Sequence, residues 1–456
     1  MHSLAQGEYD IARCGSFRGH NMMGHVLVED LGRVGSGVGQ CSVTGRSEGS
    51  ASTNNRREET DMARIWGNRF AHMTALAGSI LTGSIAAALG SGAAFAADPY
   101  DINTVLPLTG RASFLGKGEQ VALRLLEKTV NTEGGIQGRP VHFIFHDDQS
   151  SPQVAVQLIT QIKATSPSVV LGSAIVAQCQ AMSPLVQAGP FMYCFSPGIH
   201  PKPGEFIYTS TISTRDAADG LIRYFRMKGL TRIAVLTSTD ATGQDAERGI
   251  LQVFAKPENS GMEMVAKANF NPADISVTAQ IERIKAAQPH AVIAWSTGAA
   301  IGNVFKAIAQ AELNIPIATT LGNMTIEQMT QYAAFLPKQL LFPTSPWLTD
   351  GGADQAHKRF HDSFKNASLK PDASSTYAWD PAMIVIDALR KLGTKASAEE
   401  IRAYVAKLKG YAGVNGVYDF EKVPQRGLDA SNVVISAWNA SAGNWEIISK
   451  RSGIPF

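Results

Sequence analysis

From Asp101 onward the apolar positions switch between two periods. "INTVLPL" is a short apolar run that predicts a strand, and "EQVALRLLEKTVN" beyond it carries apolar residues at helical spacing. The alternation continues through the strand "VHFIF", the helix "PQVAVQLITQIKA" with Pro152 at its start, and the buried strand "SVVLG". A helix through "AMSPLVQAG" and the strand "FMYCF" close this first run. A second run begins at "LIRYFRMKG" and "RIAVLTS", and passes through "DAERGILQVFA", "MEMVAKANF", "SVTAQIERIKAAQ" and "HAVIAWS". It ends with "AIGNVFKAIAQA", "IPIATT", "IEQMTQYAAF" and "QLLFPTS". Strands alternating with helices of this length predict βαβ units and parallel sheets. The strands are too many for one small sheet, so two α/β lobes are expected. After "PTSPWLTDGG" the pattern changes to three helices, "ADQAHKRFHDSFKNA", "TYAWDPAMIVIDALRKLG" and "SAEEIRAYVAKLKG". The strands "GVYDF", "NVVISAWNA" and "NWEIIS" finish the chain.

Ahead of Asp101 the pattern is of another kind. "TALAGSILTGSIAAALGSGAAFA" carries no charge, is preceded by Arg64 and Arg69, and ends in small residues at Ala94 and Ala96 around Phe95. Residues 62–96, beginning at Met62, read as a secretory signal peptide with cleavage after Ala96. Ala, Gly and Ser dominate the stretch, which makes a poor spanning helix. No Cys follows the cut to carry a lipid anchor. Residues 1–61 lack sustained periodicity and are expected to be a spurious or disordered extension.

Lys and Arg total 41 against 39 Asp and Glu, a near-neutral balance with no basic run to mark a nucleic-acid or anionic-membrane partner. Cys14 and Cys41 precede the signal peptide, which leaves Cys179 and Cys194 for one possible disulfide in an exported protein. No P-loop, G-x-S-x-G, C-x-x-C or H-E-x-x-H motif follows residue 96. "GKG" at Gly116 lacks the third glycine of a dinucleotide loop. His142 and His146 share one face of a strand ahead of Asp147 and Asp148; strand positions and a helix-capping Asp explain them better than a metal. Ser196 has no His–Asp pair at a recognisable spacing. No catalytic residue, cofactor or metal is expected, and an exported two-lobed α/β chain of this kind points to binding.

The loops that follow the strands then carry a likeness. "LPLTGRASFLGKG", "NTEGGIQGRPVHFIFHDDQSSPQ", "VVLGSAIVAQCQAMSPLV", "GPFMYCFSPGIHP", "RIAVLTSTDATGQD" and "HAVIAWSTGAAIGNVFKA" stand in an order and spacing that resembles the periplasmic solute-binding proteins of branched-chain amino acid ABC importers. The resemblance covers nearly all of residues 98–456. It implies a type I periplasmic binding fold: two Rossmann-like lobes with parallel sheets, joined by a three-stranded hinge and closing on one ligand. Residues 97–213 and 347–415 are expected in lobe 1, and 214–346 and 416–456 in lobe 2. It further implies a periplasmic monomer that hands a small carboxylate, either an amino acid or an organic acid, to a permease and ATPase in the inner membrane. A ligand-sensing receptor or regulator domain of the same fold is the alternative.

Ligands of open α/β sheets sit off the carboxyl ends of the strands, which is where these loops lie. The resemblance places ligand contacts at Leu115, Val176, Gly198, His200, Thr242, Thr297 and the loop of Leu321, Gly322 and Asn323. Phe114, Ala177, Gln178 and Ser196 complete the expected ligand-binding set. Amides at the helix start near Gln178, with Ser196 and His200, suit a carboxylate. Trp295 is balanced between core and ligand platform, and Arg111 reads as a solvated loop residue. The family's acidic partner for a ligand amine is missing from the Leu321–Asn323 loop, and Asp240 reads as a helix cap. The expected ligand is therefore an aromatic or branched organic acid, with a free amino acid as the family default.

Overall fold

A computed structural model describes residues 98–348 and 355–456. The expected extension and signal peptide, 1–61 and 62–96, lie outside the described residues. The first eight elements are β1 (Tyr100–Leu106), α1 (Ser113–Thr132), β2 (Val141–Asp147), α2 (Pro152–Ala164), β3 (Val169–Gly172), α3 (Val176–Met182), β4 (Phe191–Cys194) and β5 (Ile207–Thr209). Their strands form one parallel sheet in the order β2-β1-β3-β4-β5. β3 and β4, "VVLG" and "FMYC", are buried at every residue, as interior strands of a parallel sheet covered on both faces must be.

The chain then crosses to α4 (Thr214–Met227), β6 (Arg232–Ser238), α5 (Ala241–Phe254), β7 (Glu263–Phe270), α6 (Thr278–Ala286) and β8 (Ala291–Trp295). It continues through α7 (Ala300–Gln310), β9 (Ile317–Ala318), α8 (Ile326–Gln331) and β10 (Leu340–Thr344). The parallel part of this second sheet runs β7-β6-β8-β9-β10. That is the order of the first sheet repeated. In both, the first strand has its second on one side and its third on the other, which creates a switch point where two consecutive strand-end loops diverge and leave a crevice.

Crossing back, α9 (Gln355–Phe364), α10 (Ala373–Leu392) and α11 (Ala398–Val405) pack on the first lobe, with α10 lying along α1. Every residue of α10 from Ala373 to Ile386 is buried, and its Asp372 and Ser375 form a reciprocal cap. The expected third helix ends at Val405 rather than running on through "AKLKG", because Lys409–Gly413 (β11) pairs antiparallel with Gly416–Asp419 (β12). The Asp380 carboxylate of α10 pins that hairpin, accepting the amides of Val414 and Asn415 at 2.8 Å each and the Tyr418 hydroxyl at 2.9 Å. Burial pushes its pKa up against those three contacts. The hairpin spans the expected lobe boundary at 415/416, and we place the third crossing after it. β13 (Val434–Asn439) and β14 (Asn444–Ile447) then join the second sheet antiparallel beside β10.

Arg426 fastens the crossings to one another. Its buried guanidinium donates to the carbonyls of Ile199 at 2.7 Å, Pro197 at 3.0 Å, Thr211 at 3.1 Å and Ser210 at 3.4 Å. Burial lowers its pKa to about 10. Ser345, at the second crossing, donates to Asn415 at 2.6 Å.

Candidate functional site

The two switch points face each other. On the first lobe the β1–α1 loop is braced by Asp147, whose carboxylate accepts the amides of Leu108 and Thr109 and, at 2.7 Å, the Thr109 hydroxyl. Those bonds hold its pKa below the usual range against burial. Asp147 is thus a loop brace, and Ser151 caps α2. His142 and His146 bond to Asp101 and Asn103 at 2.8 Å each, and the described residues contain no cluster that could hold a metal ion.

The start of α1 lies against the end of β1, so a Cβ on Gly116 would stand 2.4 Å from the Pro107 carbonyl oxygen. The second lobe repeats this approach, with a Cβ on Gly243 falling 1.8 Å from the Ser238 carbonyl oxygen. Helix α5 is capped by Asp240, which accepts the Gly243 amide at 3.1 Å. α3 starts after Ile175 with no side-chain cap.

Between the two sets of loops lies a cavity of about 20 Å³. Leu115, Ala174, Val176, Ser196 and Gly198 line it from lobe 1, and Thr214, Thr242, Trp295, Thr297 and Thr320 from lobe 2. Tyr377 of α10 completes the wall. Its polar lining is hydroxyl in character, and no Asp, Glu, Lys, Arg or His stands in it. So tight a space requires the lobes to part before any ligand larger than a water can enter.

Of the expected contacts, Leu115, Val176, Ser196, Gly198, Thr242, Thr297 and Gly322 reach the cavity. The others are turned elsewhere. His200 bonds across the lobes to Asp245 at 2.7 Å and lines a separate polar recess with Arg215 and Arg426. Asn323 is buried, donating to the Ser296 carbonyl at 2.6 Å and the Thr319 hydroxyl at 2.9 Å, so it fastens its own loop. Gln178 is fully buried, and neither it nor Ala177 beside it lines the cavity. Phe114 lines an outer groove. Trp295 is 2% exposed and serves core and wall together.

Thr214 and Tyr377 are lining residues that the sequence reading missed. Thr214 is the first helical residue after the first crossing, a position that topology could have flagged; Tyr377 sits in a helix buried all round, where no one face is marked out for the cleft.

Arg111 is not a free loop residue. Its guanidinium meets Asp240 at 3.0 Å and its carbonyl accepts the Ala299 amide at 3.2 Å, so one residue joins both lobes. Cys179 and Cys194 form a disulfide with Cα atoms 6.2 Å apart, behind the Ser173 carbonyl.

Deeper in lobe 1, Glu119 is fully buried and neither carboxyl oxygen has a hydrogen-bond partner. Burial, then the nearby Asp148 and Asp372, pushes its pKa well up. Burial also raises Asp148 to about 6, against the Ser173 hydroxyl that donates to it at 2.6 Å. These groups stand behind the cavity wall, and Tyr377 is raised by burial and then by Glu119 and Asp372.

A family model described as periplasmic binding protein matches residues 99–438. No curated protein matches the chain. A periplasmic binding protein type 1 from Bordetella pertussis Tohama I is 22% identical, with a TM-score of 0.66, covering 77% of this chain and 99% of that one. A branched-chain amino acid transporter substrate-binding protein from Streptococcus pneumoniae, solved with isoleucine, is 18% identical at the same TM-score of 0.66, covering 77% and 99%. An ABC transporter solute-binding protein from Rhodopseudomonas palustris, solved with benzoate, is 18% identical with a TM-score of 0.63, covering 78% and 97%. At these identities the likeness establishes the fold.

Proposed function

The chain belongs to the periplasmic binding protein family, and from that premise we propose that it is the extracytoplasmic solute-binding protein of an ABC importer of the branched-chain amino acid class. It acts as an exported monomer that closes on one small carboxylate and delivers it to a membrane permease and its ATPase. The ligand's remainder is apolar or aromatic.

One observation carries the ligand class: the cavity between the switch points is lined by hydroxyls and apolar groups, with no charged side chain. Hydroxyls and loop amides can donate to a carboxylate. An ammonium buried without a charged partner is several kcal/mol unfavourable. Leu115, Val176 and Trp295 supply apolar wall for a ring or branched chain. Two related structures support the carboxylate, since one was solved with isoleucine and the other with benzoate.

Calorimetry of the purified chain with leucine, valine, benzoate and branched 2-keto acids tests the reading. The amine-free acids are expected to bind more tightly than the amino acids. Tight leucine or valine binding with no response to the amine-free acids would refute it.

A further inference from the structure

Phe114 opens onto a groove outside the cleft, with a volume of about 600 Å³. One wall is α1 with the segment that joins α9 to α10, and the opposite wall is α8 of the other lobe. At its floor the Asp372 carboxylate accepts the Ile326 amide at 3.2 Å, and the Ala373 amide donates to the Met324 carbonyl at 3.2 Å. These two bonds close the groove off from the inner cavity.

Its walls are apolar. Phe114, Val121, Ile326, Phe364 and Leu369 line it, and Leu369 is 48% exposed and extends the apolar wall to the surface. Lys117 and Lys370 stand in the same lining, and neither has an ion pair or hydrogen bond among the described residues. The acids present are Glu327 on α8 and Asp372, which is occupied by the Ile326 amide and its own helix cap. Concave apolar walls of this size with a few placed charges are the ordinary make-up of a small-molecule site.

We propose that this groove is a second ligand site, distinct from the cleft, that takes a medium-chain alkyl carboxylate. The chain lies along the apolar walls and the carboxylate meets Lys117 and Lys370. The two unpaired ammonium groups select an anion over an alcohol or an amine of equal length. Because both lobes contribute walls, an occupied groove favours the joined arrangement of the lobes, and by linkage it strengthens binding in the cleft.

Calorimetry of the full chain with hexanoate, octanoate, octan-1-ol and octylammonium, all below their micellar concentrations, tests the proposal. Octanoate is expected to bind at one site and to outbind hexanoate, since each buried methylene is worth about fourfold in affinity at most. The alcohol and the amine should bind at least about tenfold more weakly. Lys117→Gln with Lys370→Gln should cost octanoate about tenfold, and both positions are exposed, so folding is not at stake. Thr330→Trp, on the exposed side of α8, should fill the groove and abolish binding, whereas Thr242→Val in the cleft, which keeps the side chain's shape and lets the lobes stay joined, should leave it intact. Octanoate binding that survives Thr330→Trp and is weakened in Thr242→Val would place the acid in the cleft and overturn the proposal. Equal affinity for octanoate and octan-1-ol, or no binding of octanoate, would overturn it as well.

Discussion

A hydroxyl can donate to a carboxylate or accept from an amine, so the cavity's threonines set strength before they set identity. Thr297→Val and Thr242→Val each remove one such group while keeping the side chain's shape. Each is expected to weaken ligand binding about five- to tenfold by calorimetry, with little change in unfolding midpoint. Asp148 gives a separate readout. Its pKa is about 6 in the fold and 3.8 ordinarily, so the folded state holds the proton more tightly. Its contribution is fully present below the lower value and is lost as pH rises through the upper one. The loss is on the order of 3 kcal/mol. Asp148→Asn should therefore be less sensitive than the native chain to raising pH from about 4 to about 7, measured by urea unfolding. Equal sensitivity of the two proteins would show that Asp148 is not the group responsible. At this scale the sequence was only half informative. Strand-end loops located Leu115, Val176, Thr242 and Thr297, because topology alone brings those loops to the crevice. It could not say which way a side chain turns inside a loop. His200 turns to Asp245 and Asn323 to the Ser296 carbonyl, each drawn by a partner far away in sequence.

Among the elements, the two lobes solve one problem twice. Each has the helix that follows its first strand pressed against the end of that strand, and each places a glycine where a Cβ would strike a backbone carbonyl, Gly116 on Pro107 and Gly243 on Ser238. The obstructing atoms are main chain and cannot swing aside. Gly243→Ala should force α5 outward and destabilise the protein by about 1–3 kcal/mol in urea unfolding. Because Thr242 rides on the same turn, ligand affinity should fall with it. The disulfide acts on the neighbouring element, tying α3 to the end of β4 across 15 residues. Replacing Cys179 and Cys194 together with alanine is expected to cost about 3 kcal/mol by the loop-closure argument. The alternating periods made most of these elements readable. They failed where a tertiary partner decided: "AKLKG" continues a helical pattern, yet it leaves the helix because β11 finds β12 and Asp380 holds the turn between them. "IPIATT" shortens to the two-residue strand Ile317–Ala318, since Thr320 leaves the sheet to line the cleft and cap the short turn at Leu321–Asn323.

For the whole molecule, the repeated strand order explains why one cleft serves both lobes: each sheet opens at its own switch point, and the crossings turn the two openings together. Arg426, beyond the hairpin on the third crossing, grips the Ile199 and Thr211 carbonyls on the lobe 1 side of the first crossing, which ties the two crossings together and favours rotation about that clamp. Opposing the rotation are the contacts at the cleft's edge: Arg111 with Asp240, His200 with Asp245, and Asp372 with the Ile326 amide. A cavity of about 20 Å³ admits no carboxylate ligand unless these contacts release. Binding and closure are therefore one equilibrium, in which the ligand and the edge contacts favour the same arrangement. Arg111→Ala removes only the guanidinium and keeps the carbonyl that accepts the Ala299 amide. A partly exposed pair of this kind is worth at most about 1 kcal/mol, so affinity should fall about two- to fivefold. Small-angle scattering should show a larger mean radius of gyration for the variant than for the native chain without ligand. At saturating ligand the two should coincide, because the ligand's own contacts then hold the lobes together. The difference between the unliganded forms should shrink at high salt, where an exposed ion pair is screened. Identical scattering and identical affinity in the two proteins would mean that Arg111 does not restrain the lobes, and would leave the ligand alone to drive closure.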